Sequence, residues 1–160
     1  MGPSRLVAIL CLSLLPLGGC RAGAKPMGMY ALEEFGARYA AAWRSHDAAS
    51  VAAFFAENGS LTINGGTPSV GRAGVTTAAQ GFMTAFPDMV VTMDSVVPVT
   101  TGARFHWTLT GTNTGPGGTG RAVRISGYEE WTFGGDGLIA RSLGHFDDAE
   151  YQRQLTGTGS

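Results

Sequence analysis

Residues 30–59 read "YALEEFGARYAAAWRSHDAASVAAFFAENG", and this stretch holds two helical patterns that meet at Asp47. Apolar residues recur at spacings of three and four in the first part, which predicts a long helix with one buried face. Asp47 is suited to cap a second helix, whose pattern continues until Gly59 stops it. We therefore predict a hairpin of two helices. The apolar residues of the first helix are Leu32, Phe35, Tyr39, Ala42 and Trp43.

The rest of the chain contains one more helical pattern, after which the apolar residues follow the alternating spacing of β-strands. A short strand, "SLTIN" (60–64), precedes a third helix, "GRAGVTTAAQGFMTAF" (71–86), which Pro87 ends. Helices that precede strands in this way predict an α+β domain, with three N-terminal helices packed in a strongly curved, mostly antiparallel sheet. The long strands are expected at 89–99, 103–113, 121–133 and 138–146, where β-branched and aromatic residues alternate between glycine-containing turns.

Alternation along the strands predicts which polar side chains face the interior, because successive side chains point to opposite faces. In the second long strand, Trp107 belongs to the alternate residues that point to the apolar face (the apolar parity), and Asn113 belongs to the same set if no bulge intervenes. In the third long strand, Glu129 lies on the apolar parity together with Trp131. The sequence therefore predicts a carboxyl group among buried aromatic rings.

The last strand carries polar groups behind an apolar run. Ile139 and Leu143 set an apolar parity that also includes His145 and Asp147 if the strand runs on. The alternative is that these two residues end the strand and bond to loop backbone, as Asp often does in turns. Tyr39 and Trp43 of the first helix are expected to lie with these inward-facing side chains, because their polar atoms need partners when buried. Together these residues form the expected pocket, which comprises Tyr39, Trp43, Trp107, Glu129, Trp131 and His145.

The first twenty residues have the composition of an export signal. Their uncharged apolar stretch is twelve residues long, short of the roughly twenty that span a bilayer. The end of the segment, "LGGC", resembles the lipobox of bacterial lipoproteins, whose cysteine becomes the lipidated first residue. We expect a signal peptide over 1–19, a lipid on Cys20, a tether over 20–29 and membrane anchoring at the bacterial cell envelope. Ordinary cleaved secretion and an uncleaved anchor are the alternatives.

Charge and cysteine content narrow the class of protein. A formal net charge of −1 with 14% charged residues lacks the basic stripe of a nucleic-acid-binding protein. Cys11 lies in the segment that would be removed, which leaves Cys20 without a disulfide partner in one mature chain. We also expect no metal site, because His46 is explained as the end of the first helix and His106 has the outward parity.

The order of elements and several stretches resemble the SnoaL-like polyketide cyclases of the nuclear transport factor 2-like (NTF2-like) superfamily. The resemblance covers residues 30–155 and leaves 156–160 as a tail. It implies a cone, in which a curved sheet wraps around the long helix and leaves an apolar pocket. It also implies an aldol ring closure without a metal or cofactor. The stretches that carry it are "AAWRSHDAASVAAFFAENG" (41–59), "FPDM" (86–89), "FHWTLTGTNTG" (105–115) and "GLIARSLGHFDDAEYQRQL" (137–155).

The resemblance also implies candidate catalytic residues. The family's acid/base aspartate, at the end of the last strand, matches Asp147, and the tryptophan four residues before it is replaced by Leu143. A family "GTH" histidine corresponds to Asn113, which forms hydrogen bonds but moves no proton near neutrality. We therefore expect Asp147 to act as the base, Asn113 to hold an enolate oxygen, and Glu129 to serve as a candidate second carboxylate.

Three kinds of function remain open. The first is acid/base chemistry, of the aldol cyclase or isomerase type, on a small hydrophobic or carbonyl-containing molecule. The second is a lipoprotein that binds such a molecule without changing it, which suits a lipid anchor better. The third is an interaction subunit that forms a homodimer through the outer face of the sheet.

Overall fold

The computed structural model describes residues 28–157 and has the predicted α+β architecture. The predicted signal peptide, Cys20 and most of the predicted tether lie outside the described residues, as does the end of the predicted tail. The helices are α1 (Met29–Arg44), α2 (Ala48–Ala52), α3 (Gly71–Ala85) and α4 (Asp148–Thr156). The strands are β1 (Phe55–Ile63), β2 (Ser69–Val70), β3 (Val90–Val99), β4 (Gly102–Thr112), β5 (Ala122–Phe133) and β6 (Ile139–Phe146).

The strands form one six-stranded sheet in the order β2-β1-β6-β5-β4-β3. The sheet is mostly antiparallel, as predicted, and β1 and β6 form its parallel pair. Irregular pairing in β1, β3 and β6 bends the strands, since bulges increase local twist. Strand β5 lies near the middle and carries Glu129, so this residue is held on a part of the sheet that is paired on both sides.

Helix α1 packs against the inner face of the sheet. Its apolar stripe is buried, and Tyr39 has no solvent exposure. The helix approaches the sheet closely at Gly36, where an added Cβ would lie 2.7 Å from Met93 Sδ. Larger side chains at this position would push the helix away from the sheet. Within residues 28–157, no helix has the length and apolar character that crossing a bilayer requires.

The second predicted helix is shorter than the sequence pattern indicated. Asp47 caps it as expected, accepting a hydrogen bond from Ala49 N at 3.0 Å. The helix ends at Ala52, and Phe55 is already paired with Ile139 of β6. The prediction of helix over Phe55 is wrong because tertiary strand pairing overrides local helical spacing. The pattern also did not predict β2 or α4.

A bulge in β6 reverses the predicted direction of its side chains. Thr132 pairs with Arg141 and Phe133 pairs with Ile139, so Ala140 is an extra residue in β6. Such an insertion shifts every later side chain to the opposite face. The prediction that His145 and Asp147 point inward is therefore wrong. The residues of β6 that face the interior after the bulge are Ser142, Gly144 and Phe146.

Candidate functional site

A cavity of about 50 Å³ lies between α1, α3 and the inner face of the sheet. Glu129 is the ionisable residue among the described residues that line it, and five of the ten other lining residues are aliphatic. Gly144 lies beside Glu129 and leaves space that a side chain would fill. Four aromatic rings complete the wall, from Trp43, Phe82, Trp107 and Phe146.

The cavity is accessible to solvent on one side, where Ile63, Phe82, Trp107 and Phe146 are only half-buried. An apolar cavity of roughly 150 Å³ holds one benzene molecule. The enclosed volume here is therefore suited to one end of a ligand, and the remainder would extend past the half-buried side chains.

The Glu129 carboxyl group is buried, with 6% of the residue exposed, and three donors from three elements hold it. Its Oε2 accepts hydrogen bonds from Ser142 Oγ of β6 at 2.6 Å and from Trp131 Nε1 of β5 at 2.9 Å. The Tyr39 hydroxyl of α1 lies 3.2 Å from Oε2 and 3.3 Å from Oε1. Oε2 is thus well occupied, whereas Oε1 has one long contact and can bind a ligand.

Burial raises the pKa of Glu129 above its ordinary value, and the three donors oppose this effect only in part. No ion pair among the described residues includes Glu129. Burial and the negative charge of Glu129 also raise the pKa of Tyr39 well above its usual range, so its hydroxyl stays protonated and donates. A carboxyl group whose pKa is raised in this way is a stronger base when it is ionised, which suits it to accept a proton and return it.

The raised pKa predicts that stability depends on pH through Glu129. The folded protein keeps the Glu129 proton above pH 4.5, the ordinary value, where the unfolded chain has lost it. This contribution to the free energy of unfolding is complete below pH 4.5 and is lost as pH rises through the folded pKa. We expect Glu129→Gln to remove it, so the stability of the variant relative to wild type should increase with pH.

Urea denaturation of both proteins over this pH range measures the difference. The exposed carboxylates Asp47 and Asp88 have pKa values lowered by hydrogen bonds, and they act alike in both proteins. Their effects therefore cancel in the comparison. A relative stability of Glu129→Gln that stayed constant or decreased as pH rose would contradict the prediction.

The structure brings five of the predicted pocket residues together. Trp43, Trp107 and Glu129 line the cavity. Tyr39 and Trp131 lie behind the Glu129 carboxyl group and hold it through their polar atoms. The inner parity predicted for β5 places the acid and its tryptophan donor on one face, because that strand has no bulge between them.

The predicted catalytic acid, Asp147, lies on the surface and caps α4. It is exposed, and its Oδ1 accepts a hydrogen bond from Glu150 N at 2.9 Å. His145 lies on the outer face, where its ring stacks on Tyr128 with centroids 4.8 Å apart. Neither side chain lines the cavity. The alternative expectation, that these residues end the strand, describes Asp147 correctly.

Asn113 also lies away from the cavity, because β4 ends one residue before it. Its Nδ2 donates to Ala85 O at 3.1 Å, and its Oδ1 accepts from Thr119 N at 2.8 Å. The Nδ2 bond therefore ties the β4–β5 loop to the end of α3, and the Oδ1 bond closes the loop on itself. The expected role of Asn113 in holding a ligand oxygen has no support in this geometry.

The sequence did not identify three residues of β6 that matter for the site. Ser142 donates the shortest hydrogen bond to Glu129, and Gly144 and Phe146 line the cavity. Their positions depend on the bulge at Ala140, for which the sequence gives no clear signal. Phe82 of α3 also forms part of the cavity wall.

Within residues 28–157, no three His, Cys, Asp or Glu side chains lie close enough together to hold a metal ion. His46 Nε2 instead bonds with Met89 O at 3.1 Å, and His106 lies against Tyr128 on the outer face.

Solved structures share this fold at low sequence identity. AclR, a putative hydroxylase from Streptomyces galilaeus, matches with a TM-score of 0.70 and 20% identity, covering 83% of this chain and 85% of that one. A putative SnoaL-like polyketide cyclase from Jannaschia matches with a TM-score of 0.65 and 14% identity, covering 80% and 96%. A Catenulispora acidiphila protein with a ketosteroid isomerase-like fold, in complex with trimethylamine, has a TM-score of 0.68, 14% identity and coverages of 77% and 92%.

Sequence comparison assigns the family more directly than these structures do. No curated protein matches the chain significantly. The SnoaL-like domain family, however, matches residues 37–142, which include the second half of α1, nine of the eleven residues that line the cavity, and Glu129 with its three donors Tyr39, Trp131 and Ser142. This match covers more than half of the sequence and agrees with the observed architecture, and the chain accordingly belongs to the SnoaL-like family.

Proposed function

We propose that this protein binds the carbonyl-bearing end of a small, mostly apolar molecule in the cavity and that Glu129 transfers a proton on that molecule. The observation that carries the proposal is a buried carboxyl group on an otherwise apolar wall, held by three donors and paired with no cation among the described residues. Desolvation by such a wall raises the pKa of the carboxyl group, which makes its ionised form a stronger base for proton transfer.

The reaction would begin when the ionised carboxylate of Glu129 removes, through Oε1, a proton from the carbon next to the carbonyl group. The C–H bond breaks, the proton passes to Oε1, and the electron pair moves to the carbonyl oxygen to give an enolate. The enolate carbon then attacks a second carbonyl of the ligand, and Glu129 gives its proton to the alkoxide that forms. In the isomerase alternative, Glu129 returns the proton at another carbon. Tyr39, Trp131 and Ser142 act as positioning residues, because they hold the carboxyl group through Oε2 and leave Oε1 to the ligand.

Hydrogen–deuterium exchange of a simple ketone tests the proposal without knowledge of the natural ligand. Cyclopentanone in D₂O exchanges the protons beside its carbonyl group, and ¹H NMR follows their loss. The proposal predicts faster exchange with the protein than in buffer alone. Exchange at the buffer rate, under conditions where the ketone binds, would count against proton transfer and favour binding without chemistry.

A second candidate function is non-catalytic binding of an alkylammonium ion. Four aromatic rings and one carboxyl group, without a basic residue among the described lining residues, form the kind of site that attracts such a cation. The structural neighbour from Catenulispora was crystallised in complex with trimethylamine. Saturable binding of tetramethylammonium in the absence of ketone exchange would favour this candidate.

The proposal includes placement at the bacterial cell envelope through a lipid on Cys20, based on "LGGC" (17–20). We expect Cys20→Ala to move the full-length protein, expressed in a bacterial host, from the membrane fraction to a soluble or secreted fraction. Cys11→Ala is the matched control and should remain in the membrane fraction. Membrane fractionation with intact-mass analysis gives the result, and membrane retention of Cys20→Ala would indicate an uncleaved anchor instead.

A further inference from the structure

The indole nitrogen of Trp107 is a buried donor without a protein partner. Among the described residues, two buried side-chain polar atoms lack a hydrogen bond, Trp107 Nε1 and Arg104 Nε. Arg104 lies on the outer face, where its Nη2 bonds with Glu130 at 2.6 Å. Trp107 instead lines the cavity. An indole N–H can only donate, so a ligand acceptor is what would satisfy it.

Trp131 provides an internal comparison, because its Nε1 donates to Glu129 at 2.9 Å. Buried polar groups in proteins nearly always have such a partner, and each exception calls for a physical explanation. The ring of Trp107 contributes to the apolar wall in the same way as its neighbours. Its N–H, unlike that of Trp131, has no hydrogen-bond acceptor among the described residues.

The sheet places Trp107 and Glu129 beside one another on the inner face. Trp107 of β4 is opposite Gly127 of β5, and Glu129 lies two residues further along β5. The Trp107 ring covers Gly127, where an added Cβ would lie 2.6 Å from Cζ2 of the ring. Such diagonal neighbours have Cα atoms about 7–8 Å apart. Both side chains accordingly lie on the same stretch of the cavity wall.

We propose that Trp107 Nε1–H donates a hydrogen bond to the ligand's carbonyl oxygen, and that the ligand must therefore carry an acceptor oxygen at the end that enters the cavity. This inference rests on the proposed function of Glu129. When Glu129 Oε1 takes the proton from the adjacent carbon, the electron pair moves to this oxygen and Trp107 stabilises the resulting charge. Trp107 thus takes the role that the sequence had predicted for Asn113.

Indole ¹⁵N–¹H spectra of the wild-type protein test the contact directly. The probes are cyclopentanone and methylenecyclopentane, which have the same shape but differ in the acceptor oxygen. We expect a saturable downfield shift of the Trp107 indole proton with cyclopentanone and a much smaller shift with methylenecyclopentane. Trp131 should change little, because its N–H is already bound to Glu129.

Two variants assign the signals and measure the contribution of the donor. Trp107→Phe keeps an aromatic ring but removes the N–H, and should weaken cyclopentanone binding about tenfold while leaving methylenecyclopentane binding unchanged. Trp43→Phe removes another indole from the same wall and identifies the Trp43 signal by its disappearance. If Trp107→Phe does not fold, the wild-type spectra decide the matter.

Equal shifts with the two probes, or no shift at Trp107, would overturn the inference. Failure of the proposed function gives a different result. If Trp107 responds to the ketone but exchange does not depend on Glu129, the proton-transfer proposal fails and the donor contact stands. If exchange depends on Glu129 and Trp107 does not respond, only the donor contact fails.

Discussion

Glu129→Gln is expected to slow ketone proton exchange by about 10²–10⁴-fold, the usual contribution of a positioned acid or base. Glutamine keeps the length of the side chain and an oxygen that can accept from Ser142, Trp131 and Tyr39, so the fold should persist. It cannot accept a proton from carbon at neutral pH. Exchange of cyclopentanone protons, measured by NMR at equal bound fraction, gives the ratio.

Glu130→Gln is the matched control for this substitution, because it changes the neighbouring residue of the same strand. Glu130 lies on the outer face, where it pairs with Arg104 and is 40% exposed. Its loss should leave the exchange rate unchanged and affect stability little, as is typical of exposed ion pairs. Equal exchange rates for Glu129→Gln and wild type would remove Glu129 from the mechanism.

Gly144→Ala is expected to weaken ligand binding about 10–100-fold, because the added methyl group occupies part of the 50 Å³ cavity and overpacking costs about 1–3 kcal/mol. The protein itself can accept the methyl group. A Cβ at this position would lie 3.8 Å from Glu129 Cγ and 3.9 Å from Ile63 Cγ1, both ordinary contacts. Binding should therefore fall without loss of the fold.

Calorimetric titration with cyclopentanone, together with urea denaturation, separates the two effects. Replacing a glycine by alanine also reduces the freedom of the unfolded chain, so the free energy of unfolding should stay the same or rise slightly. Gly81→Ala is the control, since an added Cβ on this exposed helical residue meets no atom within 4 Å. Wild-type affinity in Gly144→Ala would show that the ligand binds elsewhere.

The sequence predicted the parts of the fold in which local pattern and tertiary structure agree. The long helix α1 and strand β5 are regular, so spacing alone identified Tyr39 as buried and placed Glu129 on the inner face. Phe55 fits the helical spacing but lies in β1, because it pairs with Ile139 of β6 and does not continue the helix.

The errors in the last strand have a single geometric origin. One extra residue, Ala140, reverses the faces of β6, so Asp147 leaves the interior and Ser142 enters it. The resemblance to polyketide cyclases assigned the acid to a position that here caps a helix. The alternation of side chains in β5 had already identified Glu129 as a second inward carboxyl group, and Glu129 is buried in the structure.

The central claim is that burial raises the pKa of the Glu129 carboxyl group above its ordinary value, and a ¹³C NMR titration of this carboxyl measures that property directly. Glu129→Gln identifies the signal by its disappearance, and Glu130→Gln identifies that of the neighbouring residue. We predict a titration midpoint above the ordinary value of 4.5, as burial requires. A midpoint at or below 4.5 would contradict the account.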